Sequence, residues 1–154
     1  MKFIQPLILL LCTSVLFACG STPKSQPTPV SKPTPVSKPR LTLYLKGDFN
    51  QWEVKPNYQL ERVSPAVYAA PANLQQDKTY EFLFAARDPS QPGGNCGYRQ
   101  LEYQTLKLNE RTHARCTGIV FESFKFTPSA TGVFEFFVDF VNAELPVVYV
   151  RRVF

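Results

Sequence analysis

Leu41-Thr42-Leu43-Tyr44-Leu45-Lys46-Gly47-Asp48-Phe49-Asn50-Gln51-Trp52 carries two signals in one short stretch. Leu41, Leu43 and Leu45 alternate with Thr42, Tyr44 and Lys46, the period-two pattern of a strand with one buried face. Gly47-Asp48-Phe49-Asn50 then breaks the pattern with turn residues. The same alternation recurs along the chain. Tyr80, Phe82 and Phe84 alternate with Glu81, Leu83 and Ala85, and Phe134, Phe136, Val138 and Phe140 share one face. Short strands are predicted at 58–62, 67–70, 79–86, 101–108, 119–127, 133–141 and 147–153. Between them lie a loop at 88–95, a polar tip at 109–112 and a turn at 129–132. No window of ten residues carries a 3.6-residue period. About eight short strands separated by turns predict an all-β sandwich.

The opening stretch also resembles the start of the early-set immunoglobulin-like domains attached to glycogen- and starch-active enzymes. These include family-48 carbohydrate-binding modules, the glycogen-binding domain of AMP-activated kinase β subunits, and pullulanase N-terminal domains. Their signature is a strand, then Gly-x-Phe-Asn-x-Trp, then about 30 residues later Tyr-x-Phe. Gly47, Phe49, Asn50 and Trp52 match it, as do Tyr80-Glu81-Phe82, with Leu60 and Val67-Tyr68 on the strands between. The resemblance covers 41–86, and 124–150 look like the closing strands of such a domain. It implies an early-set immunoglobulin-like β-sandwich of about 7–8 strands over 41–154, and it marks Trp52, Asn50 and Glu81 as candidate glycan- or partner-binding residues. In glycan-binding members the counterpart of Trp52 stacks on a sugar ring. Those members carry Lys where this chain has Glu81, and a second Trp where it has Ala86-Arg87-Asp88. Tyr98 or Tyr103 is the available aromatic substitute. With a single platform, Trp52 is expected to pack on the sheet, and its truncation to cost roughly 3–5 kcal/mol.

The N-terminus follows a different logic. Lys2, the apolar residues Leu7 to Leu11 and Val15 to Phe17, and the small Ala18 have the layout of an export signal, too short for a transmembrane helix. Leu16-Phe17-Ala18-Cys19 resembles the lipobox of bacterial lipoproteins. The resemblance implies a signal peptide at 1–18, acylation of Cys19, and anchoring on a membrane by two or three acyl chains. Gly20 resembles the pattern that sorts lipoproteins to the outer membrane, with the domain facing the periplasm or the surface. Residues 20–40 hold six prolines, and Thr-Pro-Val-Ser-Lys-Pro occurs twice in tandem at 28–33 and 34–39. With Cys19, they read as a tether at 19–40 rich in Pro, Ser and Lys. At the polyproline rise it spans on the order of 65 Å.

In an exported protein, Cys96 and Cys116 are expected to form a disulfide closing an excursion at 95–117. The competing reading is a metal site, for which two cysteines with only His113 nearby make a poor ligand set; no cofactor is implied. The net charge of +5 does not mark a nucleic-acid binder. Five of the 17 basic residues lie in 1–40, so 41–154 balances twelve Lys and Arg against twelve acids. No basic stripe remains. No nucleophile, metalloprotease or phosphate-loop motif is present, and scattered acids alone do not make a glycosidase. No catalytic residue is assigned; His113 reads as a solvated loop residue. The function expected first is a non-catalytic envelope lipoprotein binding a protein or envelope partner. The alternative is a module binding an α-glucan or cell-envelope polysaccharide through Trp52.

Overall fold

The computed structural model describes residues 41–117 and 122–153. The signal at 1–18 and the tether at 19–40, Cys19 included, lie outside the described residues. Those residues fall within one compact unit.

The strands are β1 Leu43–Gly47, β2 Glu61–Ser64, β3 Val67–Leu74, β4 Tyr80–Ala86, β5 Asn95–Tyr98, β6 Thr105–Leu106, β7 Thr112–Thr117, β8 Phe124–Phe126, β9 Gly132–Asp139 and β10 Val147–Arg152. Their order is β2-β3-β9-β10-β7-β5-β4-β8-β6, with β1 paired to β4. Every ladder is antiparallel except β6 on β8. The all-β sandwich is therefore present, with ten strands among the described residues.

Alternation builds the core. Leu43 and Leu45 of β1, Phe82 and Phe84 of β4, Phe124 and Phe126 of β8, Phe134 and Phe136 of β9, and Val148 and Val150 of β10 are all buried in one cluster. Burying a side chain of this size contributes about 1.5–3 kcal/mol, so the aromatic-rich core dominates stability. Phe82 is its hub, with ring centroids 4.6 Å from Phe136 and 5.4 Å from Phe124.

Four expectations are corrected. The 95–117 segment is not an excursion. β7 pairs with β10 through Thr112 and His113 and with β5 through Ala114 to Thr117, so it joins the two halves of the sandwich. His113 accordingly sits in a strand, half-buried, its ring edge-on to Tyr103. The strand expected at 101–108 is mostly absent: Leu101–Tyr103 is a 3-10 turn, and only Thr105–Leu106 pairs. β3 runs through Pro71 to Leu74 instead of stopping at 70. β2 reaches only as far as Ala69, so Pro71 faces an unpartnered edge where its missing N–H breaks no ladder bond.

On the face of the β3-β9-β10 sheet turned away from the main core, Phe137 and Tyr149 stack at 4.6 Å, nearly parallel. Arg151 lies over both rings and Arg111 over Tyr149, so cationic groups cap an outward aromatic pair.

Candidate functional site

The site grows from the end of β1. A Cβ on Gly47 would stand 2.4 Å from the Glu81 carbonyl oxygen and 2.9 Å from the Phe49 ring. Gly47 has an extended φ of 178, so space, not backbone freedom, excludes other residues. The chain then turns through the 3-10 segment Asp48–Asn50. Phe49 enters the core against Tyr58, Tyr80 and Phe136.

Asn50 locks the turn. Its Nδ2 donates to the Leu45 carbonyl at 2.9 Å, and its Oδ1 accepts from the Gly47 N–H at 3.0 Å. It is 3 % exposed. Both functional ends of the amide are engaged internally, so Asn50 is a structural pin under the site.

Gln51 and Trp52 follow with φ of 60 and 62, two consecutive left-handed residues that are not glycine. Such a conformation costs roughly 1–2 kcal/mol per residue for an L-amino acid. It is held by the bond from Trp52 N–H to the Gly47 carbonyl at 3.0 Å. Strain of this kind clusters at functional positions. The indole is half-buried. Its Nε1–H donates to Asp48 Oδ1 at 3.1 Å, while Asp48 Oδ2 accepts from the Glu81 backbone N–H at 2.8 Å. One carboxylate thus clamps the ring to the start of β4.

Glu81 points outward. Ser123 Oγ donates to its Oε2 at 2.8 Å, and Lys125, directly opposite on β8, places Nζ 3.4 Å from its Oε1. Lys46, in the next row of β1, is half-buried and has no ion-pair partner among the described residues. Trp52 and Glu81 therefore share one patch, as their positions in the sequence suggested. Asp48, Ser123 and Lys125 complete it and were not singled out. Phe124 and Phe126 turn inward on β8, which leaves Ser123 and Lys125 on the outer side, but nothing local in the sequence reveals that β8 pairs with β4.

Tyr98 does not join the patch. It stands opposite Ala114 on β5 and packs half-buried on the core. The Ala86-Arg87-Asp88 segment lies at the far end of β4, where Ala86 pairs with Leu43 while Phe82 pairs with Gly47. Arg87 there sits 6.0 Å over the Tyr44 ring. Hydrogen bonds from the Ser90 hydroxyl, then from its N–H and from Gln91, hold the Asp88 carboxyl below the usual carboxylate range.

The expected disulfide is present. Cys96 and Cys116 face each other across β5 and β7, with Cα atoms 4.0 Å apart. Cys96 is fully buried against the core, so the bridge ties the wall formed by β5 and β7 shut. Among the described residues, no cluster of three or more His, Cys, Asp or Glu could hold a metal ion.

No family model and no curated protein sequence matches this chain. Among solved structures, one titled "Ligand induced structure of AmyP-SBD", a starch-binding domain, aligns at a TM-score of 0.51 and 17% identity, over 98% of this chain and 96% of that one. At that identity the likeness establishes the fold alone: a β-sandwich of the kind found in carbohydrate-binding domains.

Proposed function

We propose that this chain is a non-catalytic glycan-binding module, held on a bacterial envelope by a lipid on Cys19. One observation carries the glycan reading. The only tryptophan is held half-buried, with part of its ring open to solvent, in a strained backbone, its ring fixed by Asp48 beside the polar strip Glu81, Ser123 and Lys125. A residue placed only to fill the sheet would need neither the strain nor the clamp. A fixed aromatic face suits the apolar C–H face of a sugar, and neighbouring carboxylate, ammonium and hydroxyl groups can accept from or donate to its hydroxyls. The likeness to a starch-binding domain supports this reading over a protein partner. The site has one platform and an ion pair in place of a lone cation, so modest affinity is expected. The acylated Cys19 and the tether would present the module at the outer membrane.

Affinity electrophoresis in gels containing glycogen, amylopectin or peptidoglycan tests the site. Retardation by at least one polymer, lost in Trp52→Ala, is expected. Equal mobility in every gel would contradict the reading and return weight to a protein partner. For the anchor, Cys19→Ala should release the protein from membranes or leave its signal uncut. Wild-type protein found unlipidated in the periplasm would refute it.

A further inference from the structure

Beside the Trp52 patch lies a cleft of about 380 Å³, at the end of the sandwich where β1 and β3 stop and β4 and β9 start. Asp48, Asn73, Gln75, Lys78, Tyr80 and Thr131 line it. The volume is within the range of small-ligand sites, and the walls are polar. Asp48 belongs to both places: it lines the cleft and holds the indole N–H. Asp48 is thus the side chain that joins the indole to the cleft.

The charges in the cleft are unequal. Lys78 is exposed, stands 5.0 Å over the Tyr80 ring, and has no ion-pair partner among the described residues. Arg152 adds a second cation at the rim. Its guanidinium nitrogens come within 3.6 Å of where a Cβ on Gly132 would stand, and it donates to the Thr131 carbonyl. Gly132 lines the cleft and leaves room for that guanidinium. Asp48 is the acid in the lining, and both of its oxygens already accept hydrogen bonds. Asp77, next to Lys78, takes the Gln76 side-chain amide and is not in the lining. The exposed amides of Asn73 and Gln75 can meet hydroxyls.

We infer that the cleft is a second subsite of the same glycan site, and that Lys78 and Arg152 there select a sugar unit bearing a carboxylate. This rests on the glycan reading above: Trp52 supplies stacking for any glycan, and the cleft supplies the preference for an acidic one. The cations act through charge-assisted hydrogen bonds to the carboxylate, which weaken as salt rises.

Calorimetric titration of the full chain with hexagalacturonate and with maltoheptaose, each at low and physiological salt, tests the inference. Wild type should bind the uronate more tightly, with the stronger salt dependence. Lys78→Gln should weaken the uronate by about tenfold, the scale of one charge-assisted hydrogen bond, and leave maltoheptaose unchanged. Arg152→Gln should act in the same direction, and Trp52→Ala should weaken both sugars. Lys78 is exposed, so its variant should fold, with the thermal midpoint as the check. Two results would overturn the selective cleft and spare the glycan reading: Lys78→Gln leaving both affinities unchanged, or lowering both equally, while Trp52→Ala weakens both. Binding of neither sugar by the wild type would overturn both.

Discussion

Replacing Asn50 by Ala should be among the most damaging single changes outside the aromatic core. The side chain satisfies two groups on residues that are themselves buried, the Gly47 N–H and the Leu45 carbonyl. Each of the two groups left unpaired costs roughly 1–3 kcal/mol, so the loss should be about 2–6 kcal/mol. Domains of this size are stable by about 5–15 kcal/mol, so a large fraction would go. Urea unfolding followed by the single tryptophan should show a lower midpoint with an unchanged slope, because the folded and unfolded surfaces stay the same. Asn50→Asp is the informative companion. It keeps an acceptor for Gly47 N–H but aims a second oxygen at the Leu45 carbonyl, so it should not rescue stability. Because the turn carries Asp48 and Trp52, near-UV circular dichroism of the folded variant should also change. A loss under about 0.5 kcal/mol, the usual effect of a neutral surface substitution, would refute the role assigned to Asn50.

Further consequences are open to measurement. Reducing the disulfide, or replacing Cys96 and Cys116 together by Ala, should cost about 3 kcal/mol, since the bond closes a loop of 20-residue separation; an unchanged unfolding midpoint would contradict its structural role. Asp88 should titrate below ordinary aspartates, chiefly through the Ser90 hydroxyl. Its contribution should be fully present above the ordinary carboxylate range and lost as pH falls through the lowered value. A carbon-detected titration of Ser90→Ala should show that value rising, and no movement would rule the cause out.

Much of the fold was legible because large apolar residues alternate where the strands are half-buried. Leu43 and Leu45, Tyr80 through Phe84 and Phe134 through Val138 declare their inward faces. β5 and β7 escaped because they bury little that is large. Asn95-Cys96-Gly97-Tyr98 turns a cysteine inward, and in Thr112–Thr117 the fully buried residue is Ala114, which composition does not distinguish from a loop. Of the site, the Gly-x-Phe-Asn-x-Trp spacing pointed to Trp52 and Asn50 but not to their division of labour. Only the turn's closure shows Asn50 spent on backbone groups and Trp52 pushed into left-handed φ. Lys125 reaches Glu81 through a pairing 44 residues apart in sequence (Glu81 opposite Lys125), which no local pattern encodes.

If Trp52 is the sugar-stacking face, its indole N–H must report the sugar, and it gives one resonance in a nitrogen–proton correlation spectrum because the chain has one tryptophan. Titrating maltoheptaose and then hexagalacturonate should move that peak progressively to saturation, at millimolar concentration or below, with at least one of the two. A peak that stays fixed through both titrations would contradict the account.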